Sequence, residues 1–514
     1  MILARKDKFL KATALVTAVI MLSKVCGLAR DIITAGYFGT GVENDAYASA
    51  YSLFYLPVLL FNSCITATMV PLYVEERQKM GEKHSNQFAS NALNLFSIAA
   101  LIIAALMFFF VRPLVSLLFH FDETGIELTV KLTRIMMLGL VFNVASIVLA
   151  SLLNAMEKFI SAQLTGFPLS FAVIIAAVGF SPKYGIAAIA WGVFAASVLQ
   201  VVVLIPAMLG WFTYEPRIDL YDKRFHRLLH LAGPAVLSMG ISEINHMIDR
   251  SLASGLATGS ISAMNYAYKL ITFLLGILMV PLTTVMFSRM SSLAANDDRH
   301  GVRDVLKQSI VTILLVTLPI LAVAMVMAVD VVKMIFMRGS FTIDSAYLTG
   351  NVLLFYLVGL PAFGLRDLLN RTFHSVQDTK TPFRVACLVV GLNVVLNLIL
   401  RKFMQARGLA LATSIASYIG MIVMFISLRR RLGGLGMKAI LPDLIKLLIA
   451  AGAAAAMCAF MGRVLPDSMT TLGVFARLVA ATAASFIVYF AACILLRVRC
   501  LRSTIAALRG RTRR

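Results

Sequence analysis

Lys24, Arg30 and Asp31 stand inside the apolar run from Val16 to Ile33, whose other residues would form one lipid-buried helix. Charged groups at membrane depth are costly, and they face a bundle interior or a watery cavity. Two cations placed there are chemistry for receiving an anion. Lys24, Gly27 and Asp31 follow at i, i+3 and i+7 and share one helical stripe. Arg30 lies roughly a third of a turn from that stripe, beside Gly27. The pattern reads as an anion-binding wall, with a small residue that permits close approach or a bend. The alternative is a structural Arg30–Asp31 interaction with side chains reaching for the interface.

Other polar residues in apolar surroundings extend the set. Lys269 lies roughly 13 Å along its helix from the outer end, at 1.5 Å per residue. A cation there could meet Lys24 and Arg30 from the other half of the chain and clamp one phosphorylated ligand. Pairing with Asp45 or Asp249 is the alternative for Lys269. Asp45 opens the second span, where a carboxylate can cap its own helix. Asn393 and Asn397 at i, i+4, with Thr413 and Asp249, offer oxygen ligands for a small hard cation, with Na+ the candidate. Interhelical hydrogen bonding is the commoner use of such residues. Arg366, Asp367 and Arg371 suggest a gate or structural network, since Asp367 and Arg371 form an acid-first i, i+4 pair. Glu243 and His246 suggest a proton relay more weakly.

The elements that must position these residues are membrane helices. The chain has 514 residues, 60% of them hydrophobic and 14% charged, with mean hydropathy +0.87. A soluble chain carries far more charge. About fourteen apolar runs long enough to span a bilayer, from 11–36 to 473–497, describe an all-α polytopic membrane protein. Prolines at 57, 168, 234, 281, 319 and 361 fall within runs and suggest broken helices. The first run has no cleavage site behind it and reads as the first span rather than a signal peptide. Basic loops, such as Arg429-Arg430-Arg431, gather on one side with the N-terminus and the tail Arg509 to Arg514. That side is expected to be cytoplasmic, with Arg401-Lys402 as one exception.

The chain also repeats itself. Thr40-Gly41 leads into Ala46-Tyr47-Ala48, as Thr258-Gly259 leads into Ala263-Met264-Asn265, and Gly185-Ile186-Ala187 is echoed by Gly408-Leu409-Ala410. Each unit holds six spans, so both run the same way and form a parallel repeat. The expected organisation is an N-terminal lobe at 1–213, a C-terminal lobe at 214–433, and two extra spans with a basic tail at 434–514.

Several function classes are excluded. The net charge of +22 sits in loops without the aromatic-interleaved basic domain of a nucleic-acid binder. The six cysteines, Cys500 among them, are scattered without metal or disulfide spacing. No Walker A, HExxH or GxSxG sequence occurs, and no loop is large enough for a catalytic domain. These absences argue against an ATPase, a protease and a loop-built glycosyltransferase; a membrane-embedded enzyme of envelope synthesis would need a catalytic carboxylate or nucleophile in a loop, and none stands out.

Three segments carry a resemblance. Ser23 to Asp31, followed by Phe38-Gly39-Thr40-Gly41, Asp45-Ala46 and Val70-Pro71, is similar to the MurJ (MviN) family of lipid II flippases. Gly259 to Ala267 and Gln377-Asp378-Thr379-Lys380-Thr381-Pro382 match as well. The resemblance implies a two-lobed fold of the MATE-like exporter superfamily, in the bacterial inner membrane with both termini cytoplasmic. It implies movement of undecaprenyl-diphosphate-linked peptidoglycan precursor between leaflets by alternating access, without a required cofactor. A cationic cavity would take the headgroup, and a groove at 434–514 the lipid tail. Membrane lipids and the cell-wall machinery are the implied partners. Arg30, Asp31 and Asp45 match family positions. Lys24 and Lys269 replace arginines, and an arginine common in the second span is missing from Leu53-Phe54-Tyr55-Leu56-Pro57. Lysine keeps the charge but loses the bidentate fork. Asp249, Asn393, Asn397 and Thr413 fall where some members bind Na+. A flippase for a capsule or exopolysaccharide unit and a MATE-like exporter are the alternatives.

Overall fold

A computed structural model describes residues 2–434, 440–465 and 471–498. The basic tail Arg509 to Arg514, Cys500 and the side chain of Pro234 lie outside the described residues. Every regular element among those residues is helical. In chain order they are α1 (Ile2–Phe38), α2 (Val42–Met80), α3 (Glu82–Leu118), α4 (Glu123–Met137), α5 (Leu140–Ala155), α6 (Phe159–Gln163), α7 (Gly166–Ile175), α8 (Ser181–Tyr184), α9 (Ala187–Met208) and α10 (Lys223–Ser254). They continue with α11 (Ser260–Ala295), α12 (Arg299–Val326), α13 (Ala328–Phe336), α14 (Ile343–Val358), α15 (Leu360–Ser375), α16 (Lys380–Met404), α17 (Ala406–Leu432), α18 (Leu441–Val464) and α19 (Thr471–Leu495). A π-helical turn, Ala176–Phe180, joins α7 to α8.

Among the described residues, ten helices are long and apolar enough to cross a membrane, or twelve if two bent pairs each count as one span. The expected fourteen is reached only by adding α1 and α10. The bent pairs are α4 with α5, at 43°, and α14 with α15, at 46°. They occupy corresponding places in the two halves of the repeat. A Cβ on Gly139, at the first bend, would lie 2.8 Å from Ser197 Oγ, and one on Gly359, at the second, 2.7 Å from Ser414 Oγ. Each bend thus presses a glycine against the serine of a neighbouring helix in its own half. Proline is not the general cause of breaks here. Pro57, Pro281 and Pro319 lie inside uninterrupted helices, and the α4–α5 bend has none at its turn.

By packing, the chain divides into two compact units. The first is Met1–Ser262 with Arg338–Phe341, and the second Ala263–Met337 with Thr342–Arg514. In the first unit α2 packs on α4, α5 and α10, while α7 packs on α1 and α9. Ala89, Ala92, Ala100 and Ala104 give α3 a buried small-residue face, while Leu101, Leu106, Phe109 and Phe110 point outward. Such division suits helices that meet in lipid, where close backbone packing replaces hydrophobic exclusion. In the second unit α17 packs on α14, α15 and α16, and α18 lays Leu447, Ala450 and Ala454 against the core around α12. The repeat-based boundary at 213/214 and the packing boundary after Ser262 differ by α10, which falls in the second half of the repeat and packs on α2.

The Gln377-Asp378-Thr379-Lys380-Thr381-Pro382 motif has a local structural reason. Asp378 accepts from Lys380 N–H (3.0 Å), Thr381 N–H (3.0 Å) and Thr381 Oγ1 (2.7 Å) at the start of α16. It also pairs with Arg431 at the end of α17. Burial works against the carboxylate, yet these donors and the Arg431 guanidinium hold its pKa below the usual range. A lowered folded-state pKa contributes stability above the unfolded value, and that contribution is lost as pH falls through the folded value. Replacing Asp378 with alanine is expected to cost about 1–2 kcal/mol, as for a lost helix cap. Thermal unfolding of the purified protein in detergent should show a lower midpoint for Asp378→Ala, with the gap to the parent closing at acid pH.

Candidate functional site

The end of α1 nearest Phe38 turns its polar residues inward. Lys24 is exposed, and a Cβ on Gly27 would meet nothing within 4 Å, so that stripe begins in open space. One turn on, Asp31 is only 7% exposed. Arg30 Nε and Nη2 donate to Asp31 Oδ1 at 3.2 and 3.0 Å. Thr34 Oγ1 donates to the Arg30 carbonyl at 2.9 Å. The structural Arg30–Asp31 pairing is therefore made. It uses one edge of the guanidinium, whose five N–H donors exceed what one carboxylate oxygen can take.

A tyrosine ladder on α2 faces this pair. Tyr47, Tyr51 and Tyr55 recur every four residues and so share a face. The Tyr47 and Tyr51 ring centroids are 6.1 Å apart, and Tyr51 and Tyr55 stack at 5.9 Å and 12°. Tyr51 lies in the field of Arg30 and Asp31 from α1 and of Glu243 and Arg250 from α10. The Arg250–Glu243 pair is long, 3.7 Å, and Arg250 Nη1 is buried without a hydrogen bond among the described residues. Two guanidinium groups from different helices, each beside a carboxylate, thus act electrostatically on one phenol. The carboxylates lower the cost of burying the cations before a ligand arrives, and exposed Lys24 adds positive charge nearby on the same helix.

Asp45 does not cap its own helix. The N-cap of α2 is Gly41, with no side-chain cap. Asp45 is 4% exposed, and its oxygens accept from Gly259 N–H (2.7 Å), Ser262 N–H (2.7 Å) and Ser262 Oγ (2.5 Å). It therefore caps the start of α11. Gly259 has φ +89°, and a Cβ there would lie 2.3 Å from the Thr40 carbonyl oxygen. The two repeat-related Thr-Gly turns touch each other, and Ser340 N–H donates to the Gly36 carbonyl beside them (2.7 Å). Every residue of this knot belongs to the first unit.

The other expected residues lie mainly in the second unit. Lys269 Nζ sits 5.8 Å from the Tyr266 ring centroid on its own helix. Asn397 Nδ2 donates to Asn393 Oδ1 (2.9 Å), Asn393 Nδ2 to Thr413 Oγ1 (3.2 Å), and Thr413 Oγ1 to the Leu409 carbonyl (3.1 Å). As arranged, these side chains knit α16 to α17. Asp249 belongs to the first unit. Arg371 Nε pairs with Asp367 Oδ2 at 3.1 Å, while Arg366 leaves that pair and donates to Ser417 Oγ on α17 at 3.3 Å.

Sequence reasoning missed Arg250 and the ladder. Both had a signal: an arginine within a helix otherwise read as a span, and tyrosines at i, i+4 and i+8.

Comparison with known proteins bears on this geometry. Residues 34–480 match the family model described as lipid II flippase MurJ. A lipid II flippase MurJ from Thermosipho africanus is 30% identical over 413 residues, 79% of this chain and 83% of that protein. A probable lipid II flippase MurJ from Rhizobium tropici is 28% identical over 421 residues, 80% of this chain and 79% of that one. A solved lipid II flippase MurJ in an inward closed conformation superposes with TM-score 0.79 at 26% identity, covering 94% of this chain and 99% of its own. An inward-facing multidrug MATE transporter of the MOP superfamily shares the fold at TM-score 0.72 and 15% identity, covering 82% of this chain and 98% of its own.

Proposed function

This chain belongs to the MurJ family of lipid II flippases, and from that premise we propose how its own residues take hold of the substrate. It is a membrane transporter rather than a catalyst. Its substrate, lipid II, carries a diphosphate between a polyprenyl tail and a glycan. The observation that supports the reading is a pair of guanidinium groups in the first unit, each held beside one carboxylate: Arg30 with Asp31 at 3.0 Å and Arg250 with Glu243 at 3.7 Å. Phosphate oxygens can take over the guanidinium donors not used by Asp31 and Glu243, forming charge-assisted and bidentate pairs. Arg250 supplies the kind of cation that the second span lacks. Lys24 and Lys269 add charge without a fork.

The remaining parts of the reading are proposals of the same kind. The headgroup is exposed to alternate leaflets by alternating access, and Lys269 on α11 is a further candidate contact for the substrate. The apolar outer faces of α18 and α19 guide the tail. The protein lies in the bacterial inner membrane with both termini cytoplasmic and works beside the cell-wall synthesis machinery. Na+ at Asp249, Asn393, Asn397 and Thr413 is a separate proposal, and no step above depends on it.

Complementation tests the function. In bacteria depleted of their own MurJ, this chain should restore growth and normal lipid II exposure at the outer face. Growth arrest despite abundant, membrane-inserted protein would mean that another polyprenyl-linked glycan is the cargo.

A further inference from the structure

The first unit holds a second, partly open polar space lined by uncharged residues. A cavity of about 340 Å3 lies among α2, α5, α6, α7 and α9. That size falls in the lower part of the range for small-molecule sites, about 300–1,000 Å3. Its carboxamides come from four helices: Asn62 on α2, Asn143 and Asn154 on α5, Gln163 on α6 and Gln200 on α9, the last two close to Thr165. Tyr51 and Tyr55 add aromatic faces. No Asp, Glu, Lys, Arg or His lines the space among the described residues.

Part of this lining is already hydrogen-bonded. Asn143 Nδ2 donates to Gln200 Oε1 (2.9 Å), and Gln200 Nε2 donates to the Thr165 carbonyl (3.1 Å). Asn154 and Gln163 are half-buried and Asn62 is exposed. A cavity ringed by carboxamides is shaped for a guest with its own donors and acceptors. The absence of charge in the lining disfavours an ion. Mixed donors and acceptors beside aromatic faces suit an uncharged saccharide ring with hydroxyl and amide substituents.

Tyr51 connects the two places. It lines this cavity and lies in the field of Arg30 and Arg250. Tyr51 is thus common to the arginine pair and the carboxamide-lined cavity, and in lipid II the first sugar is bonded directly to the diphosphate. We propose that this cavity is the saccharide subsite of the transporter, reading the neutral glycan while the arginines hold the diphosphate. The inference rests on the flippase reading above and adds where discrimination between glycans resides.

Two probes separate the parts: lipid II itself and sugar-free undecaprenyl diphosphate, each titrated into the purified full chain in lipid nanodiscs. Asn154→Leu and Gln163→Leu should each weaken lipid II binding by roughly 5- to 10-fold, the worth of about one neutral hydrogen bond. Neither should change binding of the sugar-free lipid, which also reports that the variant is folded. Arg30→Ala should weaken both probes. Equal loss for both probes in the cavity variants, or no loss for either, overturns the saccharide subsite; the second result is that of a cavity filled by water alone. A parent chain that binds neither probe overturns the flippase reading as well.

Discussion

Arg30→Ala is expected to lose lipid II binding by about 10- to 100-fold, the worth of roughly 1.5–3 kcal/mol for hydrogen bonds to a charged group. The variant has a second consequence, because Asp31 is 7% exposed and Arg30 is its hydrogen-bonded cation. Removing one member of a buried pair leaves an uncompensated charge and destabilises by about 3–5 kcal/mol. Removing both members is far milder. The double replacement Arg30→Leu with Asp31→Leu should therefore recover the thermal stability that Arg30→Ala loses, yet bind lipid II no better. Arg30→Lys keeps the charge but not the fork, so it should fall between the parent and the alanine variant. Isothermal titration beside thermal unfolding reads both quantities. Recovery of binding along with stability in the double variant would make the pair structural and nothing more.

Gly259→Ala is the second large effect. The new Cβ would lie 2.3 Å from the Thr40 carbonyl at a residue with φ +89°. A left-handed alanine costs about 1–2 kcal/mol by itself, and here a backbone atom, not a flexible side chain, stands in the way. Gly81 provides the control, with φ +84° and nothing within 4 Å of a new Cβ. Gly81→Ala should show the conformational cost alone, and the difference between the two midpoints measures the close approach. Asp45→Ala attacks the same knot by another route. It orphans the N–H groups of Gly259 and Ser262 and the Ser262 hydroxyl. At about 1–3 kcal/mol for each unsatisfied buried donor, its loss of stability should equal or exceed that of Gly259→Ala. Equal midpoints for Gly259→Ala and Gly81→Ala would remove the knot from the account.

The charges of α1 and the parallel repeat were legible in the sequence because each violates an expectation: charge inside an apolar run, and a motif that recurs. Neither violation carries a distance. The repeat announced itself through Thr40-Gly41 and Thr258-Gly259, but only folding brings those two turns into contact and hands Asp45 to the other helix. Capping of α2 by Asp45 was the natural local expectation, and a tertiary partner overrode it. The proline-based breaks held only in part: Pro361 opens α15 after the second bend and Pro168 lies in the first turn of α7, while Pro57, Pro281 and Pro319 sit inside unbroken helices. A long membrane helix tolerates proline when neighbours satisfy the freed carbonyl, and what both bends share is a glycine, Gly139 or Gly359, against a serine of α9 or α17. The amide-lined cavity was least legible. Asn62, Asn143, Asn154, Gln163 and Gln200 are single polar residues in four different helices, each ordinary as interhelical glue. Their convergence is a property of packing that no window of sequence contains.

The central claim is that Arg30 and Arg250 together hold the diphosphate of lipid II. The most direct test is the accessibility of lipid II at the outer face of cells that depend on this chain alone, comparing the parent with Arg30→Leu, Asp31→Leu and Arg250→Leu, Glu243→Leu double variants at matched membrane abundance. These variants remove each cation with its carboxylate and so keep the buried charge balanced. The account predicts normal exposure for the parent and exposure near the depleted background for both variants. Parent-level exposure in both variants would contradict it.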